Sequence, residues 1–170
     1  MMEIRDQDLK ILEDIFYKTI ERVDPVKQMH NYKIEPPEGK TFFAAVGKGA
    51  GRLSRAFKET FQGESSGIVV IPENECCEDF GYRVFKSSHP LPAKAGIQAS
   101  KTLLENVSSL SENDLFVFMI SGGASSLLPF PPEGFTLADE INLNKSLLES
   151  GAPISVMNAF RSYFSRIKAG

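Results

Sequence analysis

Residues 114–120 read DLFVFMI, and the next six read SGGASS. Six consecutive apolar residues, with no in/out alternation, suit a strand buried on both faces. Parallel sheets covered by helices provide that environment, whereas half-solvated antiparallel sheets favour alternation. The paired glycines end the run abruptly before Leu127 and Leu128. The same order occurs earlier: Thr41–Val46 (TFFAAV) breaks at Gly47-Lys48-Gly49-Ala50-Gly51 and resumes at helical spacing through Leu53, Ala56 and Phe57. Gly67–Ile71 (GIVVI), ended by Pro72, and Tyr82–Phe85 supply two more strands. Leu9, Leu12, Ile15, Phe16, Ile20 and Val23 predict a first helix, with Asp6 or Asp8 as its cap and Pro25 as its stop. Further helices are expected over 93–107, from near Thr136 to Gly151, and from near Ser155 towards Lys168. The stretch Ile34–Lys40 is too prolyl for a regular element. Strands alternating with helices predict an α/β fold: a Rossmann-like, three-layer domain over residues 1–170, with helices on both faces of a parallel sheet.

Composition narrows the partners. At 170 residues the chain is long enough for one self-sufficient core. Nineteen basic against 22 acidic residues leave a net charge of −3, which removes the electrostatic case for a nucleic-acid partner. The basic stretch from Lys48 to Arg55 still suits a small anion. No apolar run approaches the ~18–20 residues of a membrane span. The opening MMEIRDQDLK lacks the apolar core of a signal peptide. Cys76 and Cys77 are adjacent, neither a disulfide framework nor a zinc site, and read as free thiols in a reducing cytoplasm.

Chemistry concentrates at the two glycine turns. In open α/β sheets ligands lie beyond the carboxyl ends of strands, where Ser121-Gly122-Gly123-Ala124-Ser125-Ser126 falls. Glycines there leave backbone N–H groups uncovered, a following helix adds its positive end, and Ser121, Ser125 and Ser126 add hydroxyls. Together they predict a nest for phosphate or carboxylate oxygens. The alternative is that small residues merely permit close packing of strand against helix. The turn Gly47-Lys48-Gly49 is neither a P-loop, since Phe42 stands where glycine is required, nor a dinucleotide fingerprint, since the third glycine is missing. It predicts an ammonium over exposed backbone donors, suited to charge neutralisation in phosphoryl transfer or to a carboxylate, unless Lys48 is a plain surface charge. His89, in Ser87-Ser88-His89-Pro90, could bind substrate oxygens or simply pack its loop. Asn158, Arg161, Ser165 and Lys168 recur at three- and four-residue spacing and are expected on one helix face, either as a site or as a solvated stripe. No acid pair suggests hydrolysis, no nucleophile elbow surrounds Ser125, and no metal site is expected.

Four collinear segments, VGKGAGRL (46–53), SSHPLPAKAG (87–96), FMISGGASSLLPFPPEGFTLAD (118–139) and LLESGAPISVMNAFRSYFSRIKAG (147–170), resemble the glycerate 2-kinase family of the MOFRL type. The resemblance implies ATP-dependent, Mg²⁺-assisted phosphorylation of D-glycerate to 2-phosphoglycerate in a cleft between two domains. It implies a catalytic role for Lys48, beside Gly47 and Gly49. It also implies substrate or phosphate contacts for Ser121, Gly122 and Gly123, and for His89, Asn158, Arg161 and Lys168. Ala124, Tyr163 and Ala169 depart from the family pattern, at a third glycine, a histidine and the first glycine of a Lys-Gly-Gly-Arg run. Family members are more than twice as long, so the chain is expected to be the N-terminal part of a kinase, folded but inactive by itself. Its expected partners are glycerate, a nucleotide and the missing C-terminal domain. The competing expectations are a non-catalytic phosphometabolite-binding domain and an inert fragment that pairs with a separately encoded half.

Overall fold

The computed structural model describes residues 6–168. In chain order the elements are α1 (Asp6–Val23), α2 (Pro25–Met29), β1 (Thr41–Val46), α3 (Ala50–Thr60), β2 (Ser66–Pro72) and β3 (Arg83–Ser87). There follow α4 (Lys94–Ser108), β4 (Leu115–Ile120), α5 (Ala124–Leu127), α6 (Leu137–Glu149) and α7 (Ile154–Tyr163). The four strands form one parallel sheet in the order β3-β2-β1-β4. The fold is α/β with three layers, as the unbroken apolar runs predict. No described helix is long and apolar enough to cross a membrane.

Strand periodicity sorts the core into two layers. Phe42, Ala44 and Val46 of β1 meet Ile68, Val70, Phe85 and α4's Ala99 and Leu103 on one face. Phe43 and Ala45 meet Val69, Ile71 and α3's Ala50 and Phe57 on the other. The Phe43 and Phe57 rings stack with centroids 4.3 Å apart, and Phe61 continues the stack at 4.8 Å. All six residues of β1 are buried, which is why its sequence shows no alternation. β4, expected from its apolar run to be buried on both faces, instead stands at the edge of the sheet with no residue fully buried, Phe118 39% and Ile120 62% exposed. Helix α1 packs mainly against α2 and buries no residue; its apolar stripe of Leu12, Ile15, Phe16 and Ile20 faces outward.

Three expectations need correction. Pro25 does end α1, but it also begins α2: Asp24 caps the new helix by accepting from Val26 N at 3.1 Å, and proline suits the first helical position. The last helix stops at Tyr163 rather than running towards Lys168. Phe164 leaves helical geometry (ψ 36°), and Arg166 N donates to Phe130 O at 2.9 Å. The Arg166 guanidinium then lies 5.0 Å from the Phe130 ring centroid, and Ile167 packs on the core. Lys168 and Ser165 therefore do not share a helix face with Asn158 and Arg161. Asp6 and Asp8 both lie in the first turn of α1, inside the helix, so neither occupies the cap position before it. Ala169 lies outside the described residues.

Asp114 aligns β4 with β1. Its carboxylate accepts from Ser111 N (2.7 Å), Ser111 Oγ (2.8 Å) and Lys40 N (2.6 Å). These bonds, led by the Ser111 amide, hold the carboxyl below its ordinary value. A depressed carboxyl stabilises the fold fully above its unfolded-state pKa, and that contribution is lost as pH falls through the folded-state value. Urea midpoints of the native protein and Asp114→Asn should therefore differ most at neutral pH and converge in acid. A difference that stays constant with pH would contradict this role.

Candidate active site

The order β3-β2-β1-β4 reverses direction at β1, since β2 leaves on one side and β4 joins on the other. The crevice beyond the carboxyl ends of β1 and β4 is the switch point where open α/β sheets bind ligands. Both glycine turns lie there and are bonded to each other. Lys48 N donates to Gly122 O at 2.9 Å, Gly49 N donates to Ser121 Oγ at 2.9 Å, and Ser121 N donates to Val46 O at 2.9 Å. A Cβ on Gly47 would stand 2.2 Å from Ser121 Oγ and 2.6 Å from Ser121 O, and its φ of +123° also disfavours a side chain.

This interlock changes which donors are free. The expected exposed amides of the first turn are occupied: Gly47 N donates to Val70 O and Ala50 N to Gly47 O, in addition to the bonds of Lys48 and Gly49. The Ser121 hydroxyl accepts from Gly49 and donates to Val46 O at 3.3 Å, and Ser126 Oγ donates to Gly123 O at 3.1 Å. Both hydroxyls brace the loop through these bonds. The Gly122 and Gly123 N–H groups donate to no other described residue. Gly122 is open, and Gly123 takes φ +89°.

Six of the predicted residues line two clefts near the 121–126 loop, while Gly47, Gly49, Ser121, Gly122, Gly123 and Ser126 line neither. Lys48 and His89 line one of about 440 Å³, with Ser88, Glu73 and Glu75. Ser125, Asn158, Arg161 and Lys168 line another of about 370 Å³, beside Phe118 and Ile120 of β4. Gly123 stands between them: a Cβ there would lie 3.0 Å from His89 Cδ2 and 3.4 Å from Lys48 Cγ. Arg161 Nε donates to Asn144 Oδ1 at 2.9 Å, and Lys168 Nζ donates to Glu140 Oε1 at 2.8 Å. Sequence reasoning missed Glu140 and Asn144. The available signal was Glu140 seven residues before Leu147, which puts a carboxylate on the core face of α6; both are buried.

The glycine pair offers a direct check. Gly123→Val adds branched bulk at a positive φ, between the clefts, at a cost of about 1–3 kcal/mol in backbone strain. The domain should remain folded while its affinity for inorganic phosphate, followed by NMR titration, falls at least about tenfold, the scale of a lost charge-assisted hydrogen bond. Unaltered affinity would show that the loop does not contact the anion.

Comparisons with known proteins identify the family and the fold. Residues 11–170 match the family described as Domain of unknown function (DUF4147). The chain is 34% identical over 162 residues to an Agrobacterium vitis protein provisionally named hydroxypyruvate reductase, covering 95% of this chain and 37% of that protein. It is 33% identical over 165 residues to the D-glycerate 2-kinase of Thermotoga maritima, covering 95% of this chain and 39% of the kinase. The crystal structure of a glycerate kinase from Thermotoga maritima superimposes with a TM-score of 0.81 at 30% identity, over 93% of this chain and 39% of that one. The chain thus spans about two fifths of the length of these relatives. With nearly its whole length matched, the chain belongs to the DUF4147 family, and glycerate 2-kinases are among its relatives.

Proposed function

We propose that this chain supplies the substrate- and phosphate-binding loops of a kinase that transfers the γ-phosphoryl group of ATP to D-glycerate, giving 2-phosphoglycerate. The observation that carries the reading is the interlocked pair of glycine turns at the β1/β4 switch point, with cations on both sides. Relatives named glycerate 2-kinase supply the substrate class. Phosphoryl transfer asks a protein chiefly for positioning and charge neutralisation. The free N–H groups of Gly122 and Gly123 suit oxygens of a phosphate or of the glycerate carboxylate. Lys48 adds a positive charge over the first cleft, and His89 adds a hydrogen-bonding ring beside it. Arg161, Lys168, Asn158 and Ser125 offer a second set of contacts across the loop. Mg²⁺, which the family resemblance implies, would add charge neutralisation at the phosphates; among the described residues no three His, Cys, Asp or Glu side chains gather to hold it. The free thiols Cys76 and Cys77 accord with a cytoplasmic setting.

A second reading, a non-catalytic phosphometabolite-binding domain, draws on the occupied amides of the first turn, which leave Lys48 without the backbone donors expected around it. One sample separates the two. The ¹⁵N-labelled chain is titrated with D-glycerate, inorganic phosphate and ATP, and a coupled ADP-release assay is run alongside. Shifts at 47–49, 89 and 121–126 with D-glycerate support the kinase reading, with turnover expected only when the rest of the cleft is supplied. Shifts with phosphate alone favour the second reading, and no shifts with any of the three overturn both.

A further inference from the structure

Glu140 lies on the inner face of α6, 2% exposed, and its Oε2 has no hydrogen-bond partner among the described residues. Its other oxygen takes one bond, from Lys168 Nζ at 2.8 Å. A carboxylate buried this deeply with a single ammonium partner cannot release it without leaving a bare charge in an apolar setting. Lys168 needs such a hold, because residues 164–168 lie beyond the end of α7 and no helix fixes its direction. The next turn of α6 braces the neighbouring cation. Asn144 Nδ2 donates to Glu140 O at 2.8 Å, while Asn144 Oδ1 accepts from Arg161 Nε and Asn158 Oδ1 accepts from Arg161 Nη1 at 3.3 Å. Two cations are thus set from behind by α6 and brought to one wall of the second cleft.

We propose that Glu140 is the positioning residue of this cleft: it holds the Lys168 ammonium where, beside Arg161, it meets a phosphate or carboxylate group. The proposal rests on the anion-binding reading of the cleft and adds the group that organises it. Pre-setting the ammonium from the protein side removes the rotamer freedom that a ligand would otherwise have to freeze.

The test compares the native chain with Glu140→Gln in two measurements. Ligand-free acetylation of Lys168 by an N-hydroxysuccinimide ester, followed by mass spectrometry, reads the hold alone. Titrations with inorganic phosphate and, separately, D-glycerate, followed at Arg161 and Ser125, read the site and distinguish the two sources of the anion. Glu140→Gln should label several-fold faster at Lys168 and bind its anion about tenfold more weakly, the scale of one charge-assisted hydrogen bond, with an unchanged circular dichroism spectrum. A folded Glu140→Gln chain with native labelling and native affinity overturns the proposal. Should that variant not fold, Glu140→Leu with Lys168→Met removes both charges, an exchange that buried ion pairs tolerate. That double variant should fold and lose the anion at this cleft, and retained affinity overturns the proposal. A native chain that binds neither probe overturns the anion-binding reading instead. Labelling then decides the hold by itself, upheld if Glu140→Gln labels faster and overturned if it does not.

Discussion

Gly47→Ala is expected to destabilise the domain by about 2–6 kcal/mol, combining backbone strain of roughly 1–3 with overpacking of roughly 1–3. The added methyl has nowhere to go: it points at the hydroxyl and the backbone carbonyl of Ser121, and that hydroxyl is itself tied to Gly49 N and Val46 O. Relief requires the β1 and β4 turns to separate, which breaks the bonds that join them. Against a typical total of about 5–15 kcal/mol, this is a large fraction of the stability. Gly134→Ala is the control, because Gly134 also has a positive φ (+85°) but faces open space. It should lose only about 1–2 kcal/mol, the cost of left-handed backbone alone. Urea unfolding of both variants decides the matter, and equal losses would show that the two turns are not interlocked.

Lys48→Met should lower phosphoryl transfer by about 10²–10³ in a catalytically complete enzyme that carries this domain, the range for removing one preorganised electrostatic contact. Methionine keeps the length and apolar character of the stem and removes only the ammonium. Lys48 makes no side-chain ion pair among the described residues, so the loss would report on bound ligand and not on a broken structural contact. The substitution should leave the unfolding midpoint close to native while kcat falls. Near-native turnover would reduce Lys48 to a solvated surface charge.

The strands were legible because their apolar runs are unbroken, in buried β1 and in the half-exposed edge strand β4 alike. Thr41–Val46 and Leu115–Ile120 were read to within a residue, since unbroken apolar runs ending in glycine leave little else for those segments to be. Tyr82–Phe85 was read one or two residues early. Arg83 and Val84 are exposed on that edge strand, and Tyr82 is buried by packing outside the strand, so hydrophobicity marked the wrong boundary. The end of α7 was hidden for another reason. Its polar spacing continues through Ser165 and Lys168, and only tertiary contacts of Arg166 and Ile167 turn the chain away. At the site, residue types were readable and hydrogen-bond use was not. Nothing local in Gly-Lys-Gly announces that its first amide is taken by Val70 O and the other two by Gly122 O and Ser121 Oγ, distant in sequence. Glu140 went unread because a glutamate in a helix is ordinarily solvated.

The outer edge of β4 borders the cleft that holds Arg161 and Lys168, since Phe118 and Ile120 belong to both. A strand added along that edge would enlarge the sheet and raise a wall beside the anion in the same step. Extension of the sheet and affinity for the ligand then become linked functions. Whatever free energy a bound anion gains from the new wall, the joining strand gains equally from the anion.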